Sequence, residues 1–251
     1  MPPLNRLACA LLLAAAPAVQ AADLRVLSGN GARAAVIGLA AQFDRSTGNR
    51  TTVEFAVNPE TQAKIESGKP PFDVAVLNPP VLDELIRKGY IVRNTRAVIG
   101  RAGIGVVIRD GAPKPDISSV DAFKRTLLSA KAVAYPGEGA SGKYFASLVQ
   151  RLGLADEMRQ RMRPMPAEYN VELVATGEAD MAVLVASRAS GVPGVQLVGL
   201  IPQELQTWIG FTGGMSSRTQ QPMAARSMLR FFTASEAAGI LKLNGVEPFV
   251  E

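Results

Sequence analysis

The chain of 251 residues contains no histidine, and its one cysteine, Cys9, lies within the first twenty-one residues. Without histidine there is no ordinary general base near neutral pH, no imidazole ligand for zinc, and no Ser-His-Asp or Cys-His arrangement. That absence argues strongly against a hydrolase. One cysteine cannot form an internal disulfide, and once the leading segment is removed no thiol nucleophile remains. Aromatic residues make up only 6% of the chain, with Trp208 the single tryptophan. Sugar sites usually stack rings on tryptophan or tyrosine, so a sugar ligand is disfavoured. Long blocks of like charge are also missing. The densest basic group, Arg159, Arg161 and Arg163 beside Glu157, reads as a solvated helix face. No aromatic side chains interleave with it, so nucleic acid is not an expected partner.

What is present begins with an export signal. Arg6 supplies a positive start, Leu7 to Val19 an apolar run, and Val19-Gln20-Ala21 small residues for cleavage. The run is too short for a confident membrane span. Cys9 precedes most of it, whereas a lipoprotein cysteine would follow it. The segment 1–21 carries one arginine and no acid, so the net charge of +5 falls to +4 on its removal. The remaining ~230 residues are enough to bury one or two good cores without disulfides. No further hydrophobic span appears, and the expected location is the periplasm.

From Leu24 onward strand and helix patterns alternate. Leu24 to Ser28 predicts a strand, and Val36, Leu39, Ala40 and Phe43 form one apolar stripe of a helix that stops at Gly48. Thr52 to Val57 alternates as a strand. Asn58-Pro59 opens a helix that stops at Gly68, and Asn78-Pro79-Pro80 repeats the device after the apolar strand Phe72 to Leu77. Further strands are expected at Ile104–Ile108, Ala132–Tyr135 and Met181–Val185. Helices are expected after Ser119, over Tyr144 to Leu152, over Pro222 to Thr233 and over Ser235 to Leu243. Repeated βα units predict an α/β fold with mixed, mainly parallel sheets and helices on both faces. Such sheets bind ligands at the carboxyl ends of their strands.

Those ends carry the candidate binding residues. Four of the seven asparagines after residue 21, namely Asn30, Asn58, Asn78 and Asn170, fall at expected helix starts. Ser141, Gly142 and Ser187 follow later strands, and Tyr169 lies beside Asn170. Capping alone explains Asn58 and Asn78. Asn30, Gly31, Ala32 and Ser141 sit where a ligand can approach backbone N–H groups at the positive end of a helix. Arg33, in the first turn, opposes the helix dipole. It either points to solvent or pairs with a bound carboxylate or oxyanion. Gly29-x-Gly31-x-x-Ala34 also fits a dinucleotide fingerprint, with Glu54 in the next strand as its acid. A secreted NAD(P)-binding oxidoreductase is therefore an alternative, weakened because Glu54 falls in mid-strand.

The segments LRVLSGNGARAAVIGLAAQFDRSTG, VEFAVNPETQAKIESGKPPFDVAVLN, ELIRKGYI, AVAYPGEGASGKYFASLVQRLG and ATGEADMAVLVASRA give the chain a wider resemblance. It resembles periplasmic solute-binding proteins of the type 2 fold, specifically the molybdate-binding branch. The resemblance implies two α/β lobes on a two-strand hinge, with residues 22–100 and 203–251 in lobe I and 101–202 in lobe II. It also implies a monomer that closes over a small anionic or polar solute and delivers it to an ABC permease in the inner membrane, without catalysis, cofactor or metal. A related protein would instead report its ligand to a membrane sensor. In molybdate binders two helix starts each supply a serine and a tyrosine completes the site. The matching positions here are Gly31, Val57 or Asn58, and Val185. With those hydroxyls gone, the expected ligand is another oxyanion or a larger carboxylate-bearing molecule.

Overall fold

A computed structural model describes residues 21–166 and 171–249. Residues 1–20, which hold all but the last residue of the expected export signal, and the pair Tyr169 and Asn170 lie outside the described residues. Strand β1 (Asp23–Gly29) passes through a 3-10 turn, Asn30–Ala32, into α1 (Arg33–Thr47). The expected stripe of α1 is buried, and Gly48 ends the helix in the left-handed region at φ 75°, returning its N–H to the Asp44 carbonyl. Two more βα units follow: β2 (Arg50–Ala56) with α2 (Asn58–Ser67), and β3 (Val74–Leu77) with α3 (Pro79–Arg87).

The 13-residue β4 (Ala97–Arg109) then leads to α4 (Val120–Ser129), capped by Ser119, whose Oγ accepts the Ala122 N–H at 3.2 Å. Next come β5 (Val133–Pro136), α5 (Ala140–Arg151), α6 (Ala155–Met158), β6 (Met162–Met165), α7 (Glu172–Ala175) and β7 (Met181–Val185). A 3-10 turn, Ala186–Ala189, separates β7 from β8 (Val195–Leu200). The chain ends with β9 (Trp208–Met215), α8 (Pro222–Thr233), α9 (Ala238–Leu243) and β10 (Glu247–Pro248).

The strands run in the order β2-β1-β3-β9-β4-β7-β5-β6, with β8 and β10 also on β4. Parallel pairings join the outer strands, and every antiparallel pairing involves β4 or β9. β4 serves both halves of the fold. Its residues 97–103 pair with β9, and residues 104–109 pair with β7 and β8. The chain crosses between the halves once at Gly103–Ile104 and returns over 201–207. This is the two-lobed arrangement.

Gln206 clasps the two crossings together. Its Oε1 accepts the Ile104 N–H at 2.7 Å, and its Nε2 donates to the Ile104 carbonyl at 3.0 Å and to the Ile201 carbonyl at 3.4 Å. Tyr144 adds a hydroxyl donated to the Leu205 carbonyl while its ring packs on the core.

The basic group departs from its expected form. Arg163 lies in strand β6, and Arg161 donates to the carbonyls of Leu128 and Ala130, so the three arginines do not share a helix face. Among the described residues no helix is long and apolar enough to cross a membrane, and no cluster of acidic, cysteine or histidine side chains could hold a metal.

Candidate functional site

β1, β2, β3, β5 and β7 end around one cleft enclosing about 470 Å³. Each of the five is followed closely by a helix or 3-10 turn, so free N–H groups and positive helix ends converge there. Gly29, Asn30 and Gly31 come from the end of β1, and Val57 and Asn58 from the end of β2. Asn78 follows β3. Glu138, Gly139, Ala140 and Ser141 follow β5, and Arg188 follows β7. Ile209 and Phe211 of β9 close the back.

Of the residues expected from sequence, Asn30, Gly31, Asn58, Asn78 and Ser141 therefore line the cleft together. Ala32 is buried behind it. Gly142 is also behind the lining, because a side chain there would collide with the Pro136 carbonyl. Arg33 is exposed and off the lining, with its guanidinium 4.3 Å from the centre of the Phe55 ring. That contact compensates for a cation placed against the helix dipole. Ser187 is buried at the rim and donates its hydroxyl to the Gly31 carbonyl at 2.6 Å. This bond ties the turn after β7 to the turn after β1.

Asn78 holds the N-cap position of α3 as expected, but neither the Asn58 nor the Asn78 side chain makes a capping hydrogen bond. Val57 is the N-cap of α2, which places Asn58 inside the first turn. In α3 the second helical residue is Pro80, which has no N–H. The Val81 N–H is already taken by the Asn78 main-chain carbonyl at 3.1 Å. The two side chains bond each other instead. Asn78 Nδ2 donates to the Gly210 carbonyl at 2.8 Å, which fixes Asn78 Oδ1 as an acceptor for the Asn58 Nδ2 donor. Asn58 Oδ1 is left buried with no hydrogen-bond partner, on the cleft wall. An acceptor in that position favours a donor, from water or from a ligand hydroxyl, and disfavours a bare oxyanion oxygen.

Arg188 was not among the residues singled out by sequence reasoning. It is 8% exposed, lines the cleft, and its pKa is lowered to about 10, chiefly by burial. Glu172 pulls the value up and Arg33 pulls it down. At neutral pH Arg188 remains a buried cation facing the convergent helix ends. Its position was readable, since it lies three residues past the end of a fully apolar strand, beside Ser187. Glu138, the one carboxylate on the cleft lining, was also missed, although it sits in the glycine turn after β5.

Gly31 offers no side-chain hydroxyl to the cleft, and its surroundings leave little room for one. Here a β-carbon at that position would meet Phe211 Cε1 at 3.0 Å and Val185 Cγ1 at 3.6 Å. Apolar side chains thus occupy the space beside Gly31. The dinucleotide reading loses its acid, because Glu54 is held by Lys64 at 2.8 Å.

A curled α/β sheet in two lobes, with strand ends meeting at a cleft between them, defines the class of type 2 periplasmic binding proteins. Residues 24–247 match the family model described as bacterial extracellular solute-binding protein, and the chain belongs to that family. It is 34% identical over 247 residues, 95% of this chain and 94% of the relative, to an aconitate isomerase of Pseudomonas sp.. The fold is shared with the periplasmic molybdate-binding protein of Azotobacter vinelandii (TM-score 0.74, 18% identity, 90% of this chain and 100% of that one). It is also shared with a sulfate-binding protein of Mycobacterium tuberculosis (TM-score 0.73, 15% identity, 90% and 87%).

Proposed function

We propose that the protein is an extracytoplasmic receptor for a small polycarboxylate, with cis- and trans-aconitate the first ligands to test. The lobes, residues 22–100 with 203–251 and residues 101–202, close on the ligand, and the loaded protein passes it to an ABC permease. The observation that carries this reading is Arg188, a buried cation in a cleft ringed by helix N-termini. Such a site is suited to a carboxylate, which a guanidinium holds with two parallel hydrogen bonds. The missing hydroxyl at Gly31, where apolar side chains crowd the position, weighs against molybdate. The relationship to an aconitate isomerase points to carboxylates. Thermal shift and calorimetry with both aconitates, citrate, sulfate and molybdate test the reading. A ligand at 100 times its Kd adds about 2.7 kcal/mol of stability. A response to molybdate or sulfate alone would overturn it.

One observation favours a second reading, catalysis on the bound ligand. Glu138 lies on the cleft lining, and the 34% identical relative is named for an isomerisation. Aconitate carries a methylene and a vinyl carbon on either side of one carbon. A carboxylate base removes a methylene proton, and the double bond shifts toward that carbon. The same group then returns the proton to the former vinyl carbon. One C–H bond breaks and one forms, with no oxidant or reductant. Arg188 and the helix N–H groups would hold the charge that develops. Proton NMR of each pure isomer, with and without protein, reads the conversion directly. In deuterated water it also reads exchange at the methylene.

A further inference from the structure

The cleft does not end at its inner wall. Beside it lies a second, solvent-open space of about 900 Å³, and the two share Asn58, Asn78, Gly139, Ala140 and Ile209 as lining. The outer walls are mostly apolar, formed by Pro59, Pro79, Pro80, Val81 and Trp208, with Lys143 as the one charged group on them. Lys143 is exposed and sits in the first turn of α5, where a cation opposes the helix dipole. Among the described residues it has no acidic partner, and α5 has no acid in its first turn to offset it. Both the helix dipole and Lys143 favour an anion at that rim. Trp208 is 37% exposed, and the Arg101 guanidinium lies 4.2 Å from its ring centre.

Building on the carboxylate reading above, we infer that this vestibule is a second subsite for the same ligand. The inner carboxylate lies against Arg188, the hydrocarbon middle passes Gly139, Ala140 and Ile209, and a distal carboxylate lies on Lys143 against the proline and Trp208 walls. The ligand class is an elongated polycarboxylate with an apolar or unsaturated centre. A compact oxyanion fills only the inner cleft and gains nothing from the vestibule.

The test uses the full chain without its export segment and a series of straight-chain dicarboxylates from four to eight carbons, together with both aconitates. Calorimetry gives Kd, and the fluorescence of the single tryptophan gives vestibule occupancy. Affinity should rise along the series, and Trp208 emission should change with the longer members and stay constant with succinate. Lys143→Gln should weaken the longer members about fivefold and leave succinate unchanged. Carboxylate binding with silent Trp208 emission and equal Kd values in Lys143→Gln would overturn the vestibule while leaving the receptor reading intact. A chain that binds none of these carboxylates, yet melts cooperatively, overturns both.

Discussion

Two glycine-rich turns deliver backbone N–H groups to the cleft, and they are built differently. The turn after β1, Gly29-Asn30-Gly31, is held on several sides. Asn58 crowds Gly29, Phe211 and Val185 crowd Gly31, and the Ser187 hydroxyl holds the Gly31 carbonyl. The turn after β5, Gly137 to Ser141, is anchored mainly at its base, where the Gly137 N–H reaches the Met165 carbonyl at 3.0 Å. Its tip is open. Gly139 has φ 90° with nothing within reach of a β-carbon, and Glu138 is exposed. The first turn fixes where one end of a ligand rests. The second turn can change its side chains without repacking the core. Glu138 and Lys143, the groups that would separate a carrier from a catalyst and a short ligand from a long one, both belong to that freer side.

The largest effect should come from breaking the base of the second turn. Gly142→Ala forces a methyl into the Pro136 carbonyl, so α5 must shift. A loss of about 1–3 kcal/mol is expected in denaturant unfolding. If the variant is as stable as the parent, the base of that turn is as free as its tip. Arg188→Gln should leave the fold cooperative and cost about 2–3 kcal/mol in carboxylate binding, a thirtyfold or greater rise in Kd by calorimetry.

The Arg188 pKa adds a pH test. Its value is lowered to about 10 in the folded chain, so between there and its ordinary value the unfolded chain binds the extra proton. The burial penalty on stability is therefore present below pH 10 and is relieved as the pH rises through that point. Ligand affinity should run the other way, steady from neutral pH upward and falling as the cation is lost near pH 10.

Smaller effects sharpen the contrast. Ser187→Ala removes the tie on the Gly31 carbonyl and should weaken binding about fivefold, corresponding to roughly 1 kcal/mol for one hydrogen bond. A change at the rigid turn no larger than one at the open turn would erase the distinction. Glu138→Gln should alter stability by less than ~0.5 kcal/mol and keep the ligand bound. Any interconversion of the aconitates seen by NMR with the parent should disappear in it. Interconversion that survives removes Glu138 as the proton carrier.

Much of the fold was legible because local signals agreed with tertiary burial. The α1 stripe, the Gly48 stop, the Ser119 cap and the apolar run Met181–Val185 all formed as read. β8 and β9 were not. β9 contains Gly210, Gly213 and Gly214, which are weak strand formers, and its partners β3 and β4 lie more than a hundred residues away in sequence. At the site, five of the expected residues converge on the cleft, since strand ends dictate that position. What sequence could not give was the competition between bonds. Capping looked sufficient for Asn58 and Asn78, but α2 starts one residue earlier than read, Pro80 removes an N–H that Asn78 would cap, and only the folded chain shows the two amides meeting. Arg188 was missed for a related reason. A cation in an apolar context reads as a surface residue until burial is known.

The Gln206 clasp has a mechanical consequence. One side chain grips both crossings, so they turn as a single joint, and relative sliding of the two would break both hydrogen bonds to Ile104 at once. Rotation about that joint is the low-cost motion. A carrier restricted to one axis has few open arrangements to give up when it shuts, so less of each ligand contact is consumed by ordering the protein. In the receptor reading proposed above, Gln206 would act on affinity through this joint without lining the cleft.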